Sequence, residues 1–339
     1  MGFNWAARSI KSLVMRLLGI FTSNYFDDFP TLEDDGLAAN SLESFEALLD
    51  LLGWKVSSSE AKRKGFAVTF DMLGVLMDLT LSESGIVEVR VTPGRREELL
   101  AFLRSVEVSR VLRPVDAAAF RGRFGFAYLS FEQRPLGLQL KVIGRRAEQA
   151  GGSFLADDAV LRALGDIATF LKGARPRRVQ LKGSLRPLIL YTDGACESQS
   201  TAGAVLYIPE TKSYEYWGMV IPAELTGKWA DAGVRHAVGQ AEVWPVLISY
   251  RTWEVVIKGR EILHFIDNEG VRMGLVGGNT KNELTLGMIG EVAQVLAGTD
   301  SKPWFARVPS PSNFSDDASR LEFGAYKGPS FKAVVPKGI

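Results

Sequence analysis

The stretch 187-PLILYTDGA-195 decides how this chain is read. Leu188, Ile189, Leu190 and Tyr191 make a short apolar strand, and Asp193 ends it before Gly194. A buried strand is a costly place for a carboxylate, so one at a strand end has a task or caps the next element. Beyond it, 202-AGAVLYIP-209 and 214-YEYWGMVI-221 read as two more strands. A helix, 239-GQAEVWPVLISYRTW-253, comes next, with Pro245 expected close enough to its first turn to be tolerated. The strand 262-ILHFID-267, the helix 281-KNELTLGMIGEVAQVLAG-298, the strand 303-PWFARVPS-310 and a last helix opening at 315-SDDASRL-321 complete the pattern. The order is βββαβαβα, an α/β arrangement.

Four carboxylates stand out within it. Asp193 ends the first strand, Glu242 lies in the first turn of a helix, Asp267 ends the fourth strand and Asp316 opens the last helix. Two aspartates at the ends of neighbouring parallel strands share the end of the sheet where ligands bind in open α/β folds. Hard oxygen ligands suit Mg²⁺ or Mn²⁺. Four carboxylates around two such ions are a solution for phosphodiester hydrolysis. No His/Cys pair has zinc spacing. Taken singly, Asp193 reads equally as a turn residue, Asp267 as a helix cap and Glu242 as a solvated side chain.

Outward toward the front, 172-KGARPRRVQLKGSLRP-187 holds six basic residues and no acidic one. It reads as a linker, whose Arg175, Arg177, Arg178 and Lys182 are candidates for phosphate contact. Residues 94–171 are mainly helical, with 94-GRREELLAFLRSV-106 and 157-DDAVLRALGDIATFLKG-173 amphipathic and Asp116 placed to cap the segment after it. Residues 5–19 predict a helix, and 21–32 a hairpin carrying Asp27 and Asp28 at its tip. In 40-NSLESFEALLDLLGW-54, Asn40 and Glu43 form a capping-box-like start and Gly53 a stop. Short strands, 66-FAVTF-70 and 73-LGVLMDLT-80, come after Lys62, Arg63 and Lys64. The Gly/Pro/Lys-rich end is expected to be mobile.

The 339 residues suit about two domains, with 46% hydrophobic and 23% charged residues. A net charge of +1 excludes a global field for nucleic acid, so any such surface is local. The single cysteine, Cys196, excludes an intramolecular disulfide and points to an intracellular setting, cytoplasm or nucleus. No apolar run has the length of a membrane span. The first 21 residues carry Arg8, Lys11 and Arg16 without an acidic residue, a presequence-like composition that we read as an amphipathic helix packed on a domain.

Residues about 188–322 resemble the ribonuclease H domain of retroelements, through "LYTDGA", "GQAEVWPVL", "HFIDNEG" and "VPSPSNFSDDASR". Residues about 3–80 resemble the C-terminal part of a reverse-transcriptase palm, with 25-YFDDF-29 matching its Tyr-x-Asp-Asp signature and Leu73–Val75 its primer-grip region. Tyrosine-recombinase (DIRS-like) retrotransposons are the nearest in kind. The resemblance implies a partial palm (1–90), a helical thumb and connection (91–175), a basic linker (176–187), a ribonuclease H-like domain (188–325) and a flexible tail (326–339). It implies catalytic and metal-binding roles for Asp193, Glu242, Asp267 and Asp316, with two Mg²⁺ or Mn²⁺ ions and cleavage of the RNA strand of an RNA–DNA hybrid.

For the palm, it implies that Asp27 helps hold Mg²⁺, that Asp28 is less essential, that Tyr25 lies near a primer end, and that Phe26 and Phe29 pack below the turn. A polymerase site also needs an earlier aspartate and nucleotide-binding fingers. The 24 residues before Tyr25 contain no acidic residue, so the polymerase half is expected to be incomplete and silent alone, an upstream polymerase portion or another retroelement protein being its possible partner. Some relatives carry a histidine just before the last aspartate; 302-KPWFARVPSPSNFSD-316 has none. His264 reads as a core residue, and His236 lies elsewhere. Trp217, Trp229, Trp253 and Trp304 are aromatic candidates for substrate contact, with core roles favoured for most. Two other readings stay open: a catalytically inactive nucleic-acid-binding remnant, and another nuclease of the same superfold acting on DNA.

Overall fold

A computed structural model describes residues 2–57, 59, 65–151, 154–181, 185–196, 199–232 and 237–339, and the chain divides into two compact units, 1–81 and 82–339. Lys62, Arg63, Lys64, Lys182 and His236 lie outside the described residues.

The first unit opens with α1 (Gly2–Leu13), which passes into a π-helical turn ended by Gly19 at φ 70°. β1 (Phe21–Thr22) and β2 (Thr31–Leu32) pair antiparallel, and the chain between them folds back tightly, Tyr25 and Asp28 exchanging backbone hydrogen bonds of 2.9 and 3.0 Å. Ile10, Val14, Ile20 and Phe45 form the core, with Phe29 packed on Phe45. Phe26 does not pack below the turn as expected. It is exposed, at φ 52°, because the tight reversal turns its side chain outward. α2 (Ala38–Leu51) begins before Asn40, which sits inside the helix rather than capping it. The backbone turn at Asp34–Leu37 starts the helix instead, and Ser41 Oγ is tied to Glu33 at 2.7 Å. Gly53, at φ 77°, comes after the helix end as expected. β3 (Thr69–Met72) and β4 (Val75–Asp78) form a hairpin whose two turn residues, Leu73 and Gly74, both have positive φ. Two such residues match the right-handed strand twist, and only the glycine takes that conformation without strain.

In the second unit β5 (Ile86–Val91), a strand the sequence reading passed over although Val87, Val89 and Val91 alternate with Glu88 and Arg90, precedes α3 (Pro93–Ser109), α4 (Pro114–Tyr128), α5 (Gly137–Glu148) and α6 (Asp158–Gly173). Phe120, Phe124, Ile143, Ile167 and Leu171 are central to the helical core. Asp157 caps α6, its side chain accepting from Val160 N at 2.8 Å. Asp116 is not a cap: it lies in the first turn of α4 and pairs with Arg113 at 2.6 Å. β6 (Arg177–Gln180) pairs antiparallel with β5, so part of the stretch expected as a linker is a strand.

The remainder is built on one mixed sheet. β7 (Leu188–Cys196), β8 (Ser200–Ile208) and β9 (Ser213–Val220) are antiparallel; α7 (Ala223–Asp231), α8 (Val238–Thr252) and α9 (Glu254–Ile257) lead to β10 (Glu261–Ile266). α10 (Glu269–Gly277) and α11 (Glu283–Thr299) lead to β11 (Lys302–Arg307), then the single-turn α12 (Asp316–Ser319) and β12 (Phe331–Ala333). The strand order is β11-β10-β7-β8-β9-β12, with β7, β10 and β11 mutually parallel. β12 adds parallel to β9, giving part of the expected flexible tail a fixed place. Because α8 starts at Val238, Glu242 is its fifth residue rather than in its first turn as expected, and Pro245 is its eighth, well past that turn. The proline leaves the Ala241 carbonyl without its helical donor, and that carbonyl is the atom packed against Gly194. Among the described residues no helix is long and apolar enough to cross a membrane.

Candidate active site

β7 and β10 run parallel in a register that pairs Leu190 with His264 and Tyr191 with Phe265. Two positions further along each strand stand Asp193 and Asp267, so equal register brings the two carboxylates to one end of the sheet. At this place β7 has an antiparallel neighbour on one side and a parallel one on the other, and a crevice opens beyond the carboxyl ends of such strands. Gly194 then lets α8 approach. A Cβ there would stand 2.1 Å from Ala241 O and 2.9 Å from Glu242 N, so only glycine permits the contact that brings Glu242 alongside. One carboxylate oxygen from each of Asp193, Glu242 and Asp267 lies within 4.8 Å of the others.

Burial and mutual repulsion dominate the electrostatics of this triad. Burial, then the charges of Asp193 and Asp267, pushes Glu242 up to about 9; the side chain of Asn268 and the backbone N–H of Gly194 offset part of the rise. Asp193 is raised to about 6, first by burial, with the Ser319 hydroxyl opposing and the charges of Asp267 and Asp316 adding. Glu242 Oε2 and Asp267 Oδ1 are buried without a hydrogen-bond partner among the described residues. Buried acceptors are almost always satisfied, so two orphaned oxygens facing a third carboxylate fit a bound cation.

The opposite face of the sheet fixes Asp193. Gly203 and Gly218 are directly paired on β8 and β9, and α12 lies on them: a Cβ at Gly203 would come within 2.4 Å of Ser319 N, and one at Gly218 within 2.1 Å of Ala318 O. That seat lets Ser319 Oγ donate to Asp193 Oδ2. Asn313 Nδ2 lies 3.4 Å from Asp193 Oδ1 and 3.3 Å from Thr192 O, while its Oδ1 accepts from Ser315 Oγ at 2.9 Å. Asp316 is close enough for its charge to act on Asp193, but it stands outside the triad and pairs with Arg320 at 3.1 Å.

The other candidates are placed elsewhere. Tyr25, Asp27 and Asp28 are exposed at their hairpin, and among the described residues no group of three metal-ligating side chains includes them. Arg177 and Arg178 line a groove of about 860 Å³ together with Arg134, Lys302 and the first residues of β10 and β11, at the strand ends opposite the triad; Arg178 pairs with Glu88 at 2.8 Å. Arg175 is exposed. Trp217, Trp229 and Trp253 are core residues, whereas Trp304 is exposed. His264 is fully buried between Thr192 Oγ1 (2.9 Å) and Tyr250 OH (2.8 Å), and burial lowers it to about 3, so it is a neutral core residue as expected. Sequence reasoning missed Ser319, Asn268 and the paired glycines Gly203 and Gly218. Their roles depend on contacts between distant segments; the "DG" of β7 was the one local signal of a close approach.

No protein-family model matches the sequence, and no curated protein matches it. Among solved structures, ribonuclease H1 from the halophilic archaeon Halobacterium salinarum NRC-1 is 18% identical, with 41% of this chain and 99% of that one covered and a TM-score of 0.33. The foamy viral protease-reverse transcriptase in complex with dsDNA is 13% identical, with 100% of this chain and 60% of that one covered and a TM-score of 0.40. A dRH form of the same protein with ds DNA is also 13% identical, covering 99% of this chain and 49% of that one, at a TM-score of 0.41. The chain thus spans 49% to 60% of the length of these two viral chains. With three antiparallel strands, two further parallel strands and the order β11-β10-β7-β8-β9, the sheet has a ribonuclease H-like topology.

Proposed function

We propose that residues 188–319 hydrolyse the RNA strand of RNA–DNA hybrids with the help of divalent cations. The observation that carries this reading is the triad Asp193, Glu242 and Asp267, whose oxygens converge within 4.8 Å and include two buried orphans. All its ligands are hard oxygens, which suit Mg²⁺ or Mn²⁺, and Asp316 stands beside them as a fourth. Bound cations would supply an activated water and neutralise charge developing on the phosphate. The chain's own part is to hold the ligands. Ser319 and Asn313 orient Asp193 through both its oxygens. Gly194 seats Glu242, and the β7–β10 register sets Asp267 opposite Asp193. We assign the hairpin at 25-YFDDF-29 to a retroelement reverse-transcriptase palm of DIRS-like kind; the motif at a tight hairpin tip supports this.

The test is a labelled RNA–DNA hybrid incubated with Mg²⁺ and pure protein, beside matched double-stranded DNA and RNA. RNA fragments are expected from the hybrid alone. Asp193→Asn keeps the side-chain volume and removes a ligand charge, and should abolish the cleavage. Equal cleavage by that variant would refute the assignment, and cleavage of duplex DNA instead would favour the DNA-nuclease reading.

A further inference from the structure

α12 is a helix of one turn, Asp316–Ser319, too short to hold itself in water. Its Ncap residue, Ser315, makes no cap bond, because the Ser315 hydroxyl is committed to Asn313 Oδ1. The N–H of Ala318, in the first turn, has no partner within the helix. That partner comes from downstream. Tyr326 OH accepts from Ala318 N–H at 3.2 Å and donates to Phe314 O at 2.7 Å. The Tyr326 ring is 5% exposed, 4.7 Å from the ring of Tyr216 on β9 and in contact with Phe314 and Phe331, the first residue of β12. Ala318 in turn rests on Gly203 and Gly218. The turn is therefore gripped from beneath by the sheet and tied at its start by one hydroxyl. From this turn Ser319 reaches Asp193 and Asp316 stands beside it.

We propose that Tyr326 is a positioning residue of the carboxylate site: its hydroxyl caps the turn Asp316–Ser319 and so fixes where Ser319 and Asp316 stand relative to Asp193. The segment after α12 then belongs to the working site. Tyr326 touches neither the triad nor any reacting atom and acts through α12 alone.

Tyr326→Phe tests this, since it keeps the ring and removes only the hydroxyl. Amide exchange at Ala318, monitored in the full chain, should quicken by about tenfold, the loss of one hydrogen bond. The Mg²⁺ midpoint, the concentration that half-saturates the folded chain in a calorimetric titration, should increase about three- to tenfold, less than the roughly 10–100-fold typical of residues that touch a metal ligand directly, because Tyr326 acts one contact further out. The activity readout rests on the nuclease reading: kcat on the hybrid should fall about tenfold with KM little changed, as when an interaction made only in the transition state is lost. Phe323→Ala is the packing control, removing a ring that contacts Tyr216 in the same segment; it should lower Tm while leaving the Mg²⁺ midpoint in place. Unchanged exchange at Ala318 and an unchanged midpoint in Tyr326→Phe would overturn the proposal, as would an equal shift of the midpoint in Phe323→Ala. Should the wild-type chain fail to cleave hybrid, the nuclease reading falls, while exchange and midpoint still decide the role of Tyr326.

Discussion

Asp316 and Asp317 are neighbours in sequence, yet side chains one residue apart on a helix diverge by about 100°. The charge of Asp316 acts on both Asp193 and Tyr326, whereas that of Asp317 acts on Tyr326 and is not among those that shift Asp193. Asp316→Asn should therefore cut hybrid cleavage by orders of magnitude, and Asp317→Asn should cost little activity and about 0.3–1 kcal/mol of stability through the helix start. Side-by-side rates at saturating Mg²⁺ decide this; a dead Asp317 variant would mean the turn faces the triad by its other residue. The raised carboxylates also set a pH dependence. Without metal, Asp193 holds its proton to about 6 and Glu242 to about 9, while the unfolded chain releases both from ordinary values of 3.8 and 4.5. Across that window the folded state binds more protons, so stability is greatest at its acid end and falls as pH rises. In EDTA the Tm should drop between pH 5 and pH 8, and Mg²⁺ should shrink the drop. Glu242→Gln should flatten the metal-free slope; an unchanged slope in that variant would count against the burial and charge repulsion described for Glu242.

At the scale of elements, three glycines set the spacing of the site. Gly194 admits α8 on one face of the sheet, and the pair Gly203–Gly218 admits α12 on the other. Gly194→Ala puts a methyl group into the α8 backbone, which no rotamer change relieves. We expect a loss of about 1–3 kcal/mol or more from overpacking, and displacement of Glu242 with loss of cleavage. Urea unfolding and the hybrid assay measure both, and a stable, fully active Gly194→Ala protein would show that α8 can withdraw without moving Glu242. Gly165, in α6, has nothing within 4 Å of an added Cβ; Gly165→Ala should be neutral or slightly stabilising in the same assays.

Across the whole molecule, the two acidic centres differ in kind. Asp193, Glu242 and Asp267 are drawn from two strands and a helix and face one another. Asp27 and Asp28 share one exposed hairpin, and among the described residues no further metal-ligating side chains complete a group of three around them. The chain should therefore cleave hybrid while adding no nucleotide to a primer–template, whichever divalent metal is present. Incorporation of labelled nucleotide by the pure protein would show that the hairpin works with the ligands it has.

Apolar runs such as "LILY", the aspartate after β10 and the long amphipathic helices α6 and α11 were legible from the residues alone, because burial pattern and turn chemistry are local. So were Asp193, Glu242, Asp267 and Asp316 as candidates. Asp193, expected to end its strand, is the sixth of the nine residues of β7, which pairs on with β8 beyond it. β5 carries a local signal, Val87, Val89 and Val91 alternating with Glu88 and Arg90, that the sequence reading passed over, whereas Arg177–Gln180 acquires strand character only by pairing with it across some ninety residues. β12 escaped notice for a like reason: a Gly/Pro/Lys-rich end becomes a strand where β9 offers it an edge. The sequence by itself determined which carboxylates this protein carries and on which elements. Only the tertiary structure decided that three of them converge, that Ser319 and Asn313 hold the first, and that Tyr326 caps the last turn. Hydrogen bonds and close backbone approaches between segments far apart in sequence leave no periodic trace in the chain.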